Sequence, residues 1–306
     1  MGDRFAQRYY NSAYGRYRLP LLRYLLSAAE HIEGSKMDRY AVLGHPITHS
    51  LSPQIHALFA RQTKQTLEYT GIELPVSSFE TRVWQLFQDG YAGFNVTAPF
   101  KGDAFDFVDE MTDRARRSRS INTLKKLADG RIFGDTTDGI GLLTDIRDHL
   151  GWPLEHQNVL VLGAGGAVRA VIEPLLEANP ANLVVANRSA QKAEELADDF
   201  PAISPSTFEE LSGQFDIVIN GTSASISGQV PPLPDGLINA GTKCYDMMYG
   251  KNPTSFLRWS AENGALACAD GLGMLVAQAA ESFYIWRGVR PDVAPVIAAL
   301  RKSLAD

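Results

Sequence analysis

The sequence predicts an α/β protein of two domains, the first built on a mixed sheet and the second on a doubly wound parallel sheet. Three observations carry this. A chain of 306 residues with 45% hydrophobic content is long enough for two cores. Short apolar runs alternate with segments of helical period from Tyr40 onward, the pattern of strands joined through helices. The run Asn158-Val159-Leu160-Val161-Leu162 passes directly into Gly163-Ala164-Gly165-Gly166-Ala167, a strand, turn and helix in the order that opens a doubly wound sheet.

Residues 1–36 stand apart. They carry six Lys/Arg against three acids, with five tyrosines, and end in Glu33-Gly34-Ser35-Lys36. Arg23 interrupts the apolar stretch from Leu19 to Leu26, which argues against a secretory signal. An arm, an organellar targeting peptide and a non-native or upstream-start extension all fit this Arg-rich composition, so the segment is set aside as an N-terminal extension.

The first domain is placed at 37–138. Tyr40 to Leu43 is a short strand ended by Gly44, and Ser52-Pro53 opens a helix with Ile55, Leu58, Phe59 and Gln62 on one face. A strand follows at Gly71 to Leu74, a helix at Phe79 to Gln88 and a strand at Gly93 to Thr97. Pro99 suits a first helical position, where its missing N–H costs nothing, and Phe100, Ala104, Phe107 and Val108 continue as an apolar stripe. Asn122 to Leu127 and Arg131 to Phe133 flank Asp129-Gly130, a two-residue hairpin signal.

The second domain is placed at 139–270. After Asn158 to Leu162, a helix carries Val168, Val171, Ile172, Leu175 and Leu176. A strand at Leu183 to Ala186 precedes a helix that Ser189 can cap, and Asp216 to Asn220 and Lys243 to Tyr245 give further strands. The stretch 271–306 reads as two helices, Leu272 to Trp286 and Asp292 to Leu304, returning to the first domain.

Composition narrows the partners. A net charge of −6 makes nucleic acid and anionic membranes poor partners, and no apolar stretch has the length of a membrane-spanning helix. Cys244 and Cys268 form no Cys-x-x-Cys pair, so neither a disulfide framework nor a thiolate metal site is indicated, and a reducing cytoplasm fits. His45 and His49 lie in a loop with Pro46 between them and no further ligands, so no metal is expected; His56 reads as structural. The expected assembly is a monomer or a homodimer.

Several residues bear chemistry. The turn Gly163-Ala164-Gly165-Gly166-Ala167 lets a pyrophosphate approach the backbone at a helix N-terminus. The next strand ends Ala186-Asn187-Arg188-Ser189, with no carboxylate to bind a ribose 2′-hydroxyl. Arg188 offers donors to a 2′-phosphate and Lys192 adds charge one turn on, which favours NADP over NAD. Ser50 and Ser52 put two hydroxyls at a helix N-terminus, where they can bind a carboxylate; Ser52 can equally be a plain N-cap, a reading Ser50 does not share. Lys101 lies in the first turn of its helix, the unfavourable end for a cation, and reads either as a solvated charge or as a reactive amine. Asp138, alone, reads as an N-cap before Ile140, Leu143 and Ile146.

The runs GHPITHSLSPQIH, NVTAPFK, INTL, GDTTDGIGL, VLGAGGAVRA, ANRS, YDMMYG and ADGLGMLVAQAAE, in this order from about Met37 to Asp306, resemble those of the shikimate dehydrogenase family. The resemblance implies a substrate domain and a Rossmann-type NADP-binding domain with the cleft between them. It implies reduction of 3-dehydroshikimate to shikimate with NADPH, in the pathway to aromatic amino acids. Ser50, Ser52, Thr97, Asn122, Asp138 and Gln278 would hold the substrate, with Tyr249 near it. Lys101 and Asp138 would be the catalytic pair, the ammonium supplying a proton to the oxygen that becomes an alkoxide. Met247, Gly271 and Met274 would lie near the nicotinamide, and Thr222 would join Asn187, Arg188, Ser189 and Lys192 in holding the cofactor. Arg119-Ser120-Ile121 stands where the family has Gly-Ala-Val, and Thr136 where it has Asn. A cation in place of glycine either alters the loop before Asn122 or points to solvent. The alternatives are a quinate/shikimate dehydrogenase with looser cofactor choice and a catalytically impaired NADP-binding module.

Overall fold

The computed structural model describes residues 37–305; the readings made on residues 1–36 lie outside them. The first sheet contains β1 (Asp38–Gly44), β2 (Leu67–Glu73), β3 (Tyr91–Val96), β4 (Glu110–Met111), β5 (Thr123–Lys126) and β6 (Ile132–Asp135), in the order β2-β1-β3-β5-β6-β4. β1 runs parallel to β2 and β3, whereas β5 is antiparallel to both β3 and β6. The helices of this half are α1 (Ser52–Thr63), α2 (Phe79–Gln88), α3 (Lys101–Phe107) and α4 (Asp113–Ser118).

Alternation along β1 sends its side chains to two cores. Ala41 and Leu43 pack with Phe79, Val83 and Phe87 of α2, with Phe94 and Val96 of β3 and with Phe100. On the other face Tyr40 stacks on Trp286, ring centroids 4.6 Å apart, and Trp286 Nε1 donates to Leu124 O at 2.9 Å.

Next come α5 (Asp138–Leu143), continued by a π-helical turn over Thr144–His149, and then β7 (Asn158–Leu162), α6 (Gly166–Glu177), β8 (Asn182–Asn187), α7 (Ala190–Asp199), β9 (Ser204–Thr207), β10 (Ile217–Asn220), β11 (Lys243–Asp246), α8 (Ser255–Glu262) and β12 (Ala267–Asp270). All six strands of this second sheet are parallel, in the order β12-β11-β10-β7-β8-β9. Strand order therefore reverses between β7 and β10, the switch point at which a crevice opens beyond the strands' carboxyl ends. Two helices finish the chain, α9 (Leu272–Arg287) and α10 (Ala294–Ala305). α9 leaves β12 and crosses to the first sheet, where Leu272, Val276, Ala279 and Phe283 pack with Ile55 and Phe59 of α1. Among the described residues, no helix is long and apolar enough to cross a membrane.

The mixed α/β architecture, with one mixed and one parallel sheet, is the one expected, and α2 and β7 have the expected bounds. Several details differ. Pro99 is not the first helical residue: Thr97 to Phe100 form a turn closed by Phe100 N to Thr97 O at 3.0 Å, with a cis Ala98–Pro99 peptide, and the helix starts at Lys101. The 127–131 hairpin has a three-residue loop. Leu127 N bonds to Arg131 O and Gly130 N to Leu127 O, with Gly130 at φ +90°, a turn followed by a left-handed residue. β2 begins at Leu67, ahead of the expected Gly71, and α10 at Ala294 instead of Asp292. Ser189 occupies the N-cap of α7 without a side-chain bond.

Arg119 caps α4 in the left-handed region, at φ 49° and ψ 36°. Its side chain is 66% exposed, lying 3.9 Å from Asp199, so it points to solvent and the strain falls on the backbone alone. Arg119→Gly relieves a left-handed non-glycine residue and gives up only an exposed ion pair. It is expected to raise stability by about 1 kcal/mol, read as an upward shift in the denaturant midpoint at unchanged slope.

His56 of α1 is fully buried, stacked on Tyr69 with ring centroids 4.0 Å apart, and neither ring nitrogen has a hydrogen-bond partner in the structure. Burial lowers its pKa from 6.5 to about 3, opposed by the nearby Asn95 side chain. Because the unfolded chain binds this proton and the folded chain does not, the contribution of His56 is fully present above pH 6.5 and is lost as the pH falls toward about 3, by roughly 5 kcal/mol in all. His56→Phe is expected to flatten that limb of the stability curve in denaturant titrations at stepped pH. An unchanged acid slope would refute the assignment.

Candidate active site

The site forms where the two chain turns after β3 and β6 meet α9. The turn after β3 is tied to β1 by Thr97 N to Leu43 O at 2.9 Å and His45 N to Ala98 O at 3.1 Å, and it delivers Lys101 as the first residue of α3. After β6, Thr136 and Thr137 lead into Asp138, which is the first residue of α5 and not its cap; Thr137 holds the N-cap position. Lys101 Nζ donates to Asp138 Oδ2 at 2.5 Å, with the lysine side chain 23% and the aspartate 10% exposed. The amine thus stands at the edge of the cleft, partly wet, facing a nearly dry carboxylate.

Asn122 completes the group. Its Nδ2 donates to Asp138 Oδ1 and Thr137 Oγ1, each at 2.9 Å, and to Gln278 Oε1 at 3.3 Å. Its Oδ1 accepts from Thr137 N at 2.9 Å and from Thr123 Oγ1 at 3.0 Å. Lys101, Asp138, Asn122 and Gln278 are therefore joined by direct bonds, although 177 positions separate the first from the last. The carboxylate at the N-terminus of α5 is favoured by the helix dipole, whereas Lys101 at the start of α3 is not; facing Asp138 offsets that disadvantage.

A further polar layer lies beneath, and the sequence reading did not identify it. Asn95 Nδ2 donates to Ser282 Oγ at 2.9 Å and to Asn122 O at 3.2 Å, and Tyr69 Oη donates to Asn95 Oδ1 at 2.7 Å. Ser282 Oγ is 2.8 Å from Thr123 Oγ1. Asp135, fully buried, takes two bonds from Arg114, at 2.8 and 2.5 Å, while its Oδ1 also accepts from Thr136 N at 2.7 Å. The turn before Asp138 is anchored by an ion pair on one side and by Asn122 on the other. A polar residue at an inward position of an otherwise apolar strand, as Asn95 is between Phe94 and Val96, was the available signal. Thr136 and Ser120 are buried with hydroxyls that meet no polar partner, so neither adds to the bonds around Asp138.

Ser50 and Ser52 stand at the start of α1. Here the structure corrects the expectation that Ser50 has no capping role: Ser50 Oγ accepts from Ser52 N at 3.3 Å, Leu51 occupies the N-cap and Ser52 is the first helical residue. Thr97 sits against Gly44, so close that a Cβ there would strike its methyl group, and Tyr249 packs against the core shared by α1 and α9. These residues rim the same end of the first sheet. His45 Nδ1 lies 3.2 Å from Glu73 Oε1, both exposed.

Across the cleft, the turn after β7 has the properties of an anion cradle. Gly163 adopts φ +106°, and a Cβ on Gly165 or Gly166 would meet no atom within 4 Å, so space lies open before the twelve-residue helix α6. The first turn of α6 carries no acid, and no side chain caps it. Arg188, just past β8, and Lys192, in the first turn of α7, are both exposed, and Asn187 Nδ2 donates to Ser189 O at 3.1 Å, shaping the loop that carries Arg188. Donors, open space and cations fit a phosphorylated dinucleotide. Thr222, Met247, Gly271 and Met274 gather beyond β10, β11 and β12: Gly271 N donates to Met248 O at 3.0 Å, and Met247 and Met274 pack in the core below α6.

Comparison with known proteins agrees with this geometry. A family model described as the shikimate dehydrogenase substrate binding domain matches residues 42–124, one described as shikimate / quinate 5-dehydrogenase matches 146–227, and one described as the shikimate 5′-dehydrogenase C-terminal domain matches 271–301. A protein of Thioalkalivibrio sulfidiphilus named shikimate dehydrogenase (NADP(+)) is 54% identical over 269 residues, 87% of this chain and 98% of its own. The crystal structure of an Ael1 enzyme from Pseudomonas putida superposes with a TM-score of 0.82 at 49% identity, covering 86% of this chain and 98% of its own. That of shikimate 5-dehydrogenase from Thermus thermophilus, in complex with NADP(H) and shikimate, gives 0.80 at 33% identity, covering 88% and 100%. With this fold, this cleft and relatives of such identity over nearly their whole length, the chain belongs to the shikimate dehydrogenase family.

Proposed function

We propose that this chain reduces 3-dehydroshikimate to shikimate with NADPH, with Lys101 as the proton donor. The observation that carries the reading is the Lys101–Asp138 pair at 2.5 Å, its amine partly open to the cleft and opposite a glycine turn with the character of a phosphate site. Bound NADPH would supply the hydride. Addition of hydride to a ring ketone leaves negative charge on oxygen, and the Lys101 ammonium stabilises that oxygen and gives it a proton. Asp138, held by Asn122, fixes the amine in position and keeps a countercharge beside it. Asn122, Gln278 and Thr97 bind the ring hydroxyls, Ser50 and Ser52 the carboxylate, and Tyr249 closes the same side. On the other wall, Gly163, Ala164, Gly165, Gly166 and Ala167 receive the pyrophosphate, and Asn187, Arg188, Ser189 and Lys192 take the 2′-phosphate. Thr222, Met247, Gly271 and Met274 border the nicotinamide. Arg119 turned to solvent speaks against impairment through that loop.

Two measurements test this. Lys101→Ala is expected to lower kcat for 3-dehydroshikimate reduction by about 10² to 10⁴, the range of a lost general acid, with unfolding unchanged; turnover equal to the unsubstituted protein would sink the assignment. The same assay run backward compares shikimate with quinate, and a preference for quinate would replace the proposed substrate. Arg188→Ala is expected to weaken NADPH binding by roughly tenfold or more through loss of a charge-assisted bond, leaving NADH binding as it was. Equal losses for both would remove Arg188 from the 2′-phosphate.

A further inference from the structure

Asp246 ends β11 with 0% exposure, and no Lys, Arg or His pairs with it among the described residues. Four uncharged donors take its place. Asn220 Nδ2 and Met248 N donate to Oδ1 at 3.1 and 3.0 Å; Ser225 Oγ and Thr254 Oγ1 donate to Oδ2 at 2.7 and 2.6 Å. A carboxylate kept dry is costly unless its oxygens are fully bonded, so these donors are not free to move apart. They come from different segments: the end of β10, the 3₁₀ turn Ala224–Ser227, and both ends of the loop between β11 and α8.

Two of the donors lead outward to the cleft. Asn220 Oδ1 accepts from Thr222 N at 3.1 Å and from Thr222 Oγ1 at 2.7 Å. Met248, held by its N–H, accepts from Gly271 N at 3.0 Å through its carbonyl, and Gly271 lies so close to Met247 that a Cβ would overlap its backbone. Thr222, Met247 and Gly271 are the residues assigned above to the nicotinamide end, and one buried carboxylate fixes all three. We infer that Asp246 is a positioning residue for NADPH, setting the wall against which the nicotinamide rests, while the glycine turn and Arg188 hold the phosphates independently of it. This rests on the NADPH reading of the cleft.

The test compares calorimetric binding of NADPH and of 2′-phospho-ADP-ribose, which lacks the nicotinamide, in the absence of substrate. Asp246→Ala is expected to weaken NADPH by about tenfold, the effect of losing a bond to a charged group, and to leave 2′-phospho-ADP-ribose within about twofold. Asp246→Asn is expected to recover most of the loss, since its carbonyl still accepts from Asn220 and Met248 and its amide can donate to the two hydroxyls. Should Asp246→Ala not fold, Asn220→Ala carries the same comparison: it cuts the tie between the carboxylate and Thr222 and leaves Met248, Ser225 and Thr254 bound to Asp246. Unchanged NADPH affinity in the folded variant overturns the inference, and so does an equal loss for both ligands, which marks general destabilisation. If the unsubstituted protein binds neither ligand, the NADPH reading itself has failed.

Discussion

The short helix α5 can lie between the two halves of the molecule only because it is nearly bare on two sides. A Cβ on Gly141 would come within 2.7 Å of Met274 O and 2.8 Å of Gln278 N on α9, and one on Gly139 within 2.8 Å of Ala170 O on α6. Backbone therefore packs on backbone in both directions, and the N-terminus of α5 is fixed to each neighbour within the tolerance of van der Waals contact. Asp138 is the first residue of that helix, Gln278 is on the helix it touches and the glycine turn precedes the other. The close approach thus sets the distance between Asp138 and the turn Gly163-Ala164-Gly165-Gly166-Ala167 before any polar bond is made. Methyl groups at these positions would separate the elements, and the polar contacts of Asn122 with Asp138 and Gln278 could not all survive.

Around this wedge the two walls are stabilised by different electrostatics. On the substrate side, Lys101 meets Asp138 where water still reaches, and neutral groups, Asn95, Thr123, Ser282 and Asn122, fill the layer beneath. Such a layer fixes side chains without burying further net charge. Asp135 is the exception, and it is matched by the bidentate Arg114. On the cofactor side the buried charge of Asp246 meets only dipoles. The difference matches what each wall holds: one keeps a partly wet cation beside its countercharge, the other ties two loops to a buried carboxylate.

The amount of this legible in the sequence was set by burial. Strands buried on both faces, such as β7, show as continuous apolar runs and were read to the residue. β9 and β12 were missed: Ser204–Thr207 and Ala267–Asp270 are edge strands with half-exposed polar positions, whose pairing comes from the neighbour and not from their own pattern. α8 is eight residues long, too short for periodicity to announce it. At the site, Lys101 and Asp138 were each ambiguous alone, because a cation in a first turn and an acid before a helix both have ordinary structural uses. Family resemblance joined them; spacing could not, since they stand 37 positions apart. Tyr69, Asn95, Thr123, Asp135 and Ser282 stayed hidden because their partners come from distant segments.

Among the described residues, two stretches of chain cross between the sheets, from Asp135 to Asn158 and from Asp270 to Leu272. The first is α5 with its π-helical turn, followed by the irregular stretch 150–157, whose Trp152 and Leu154 are buried in the second core; the second opens directly into α9. Both are further pinned. Asp145 of the π-helical turn accepts from Tyr245 Oη of β11 at 2.7 Å and lies against Gly273, where a Cβ could not fit. Asp270 receives both guanidinium nitrogens of Arg301 on α10, at 2.7 and 2.5 Å. α10 in turn packs through Val296 and Leu300 on the core that holds α1, the helix with Ser50 and Ser52 at its start. Both connections are thus held on their flanks, by side-chain bonds and by buried apolar residues. A change in cleft width is therefore taken up where α5 touches α9 and α6, next to Asp138, so the separation of the two walls and the placement of Asp138 are mechanically linked.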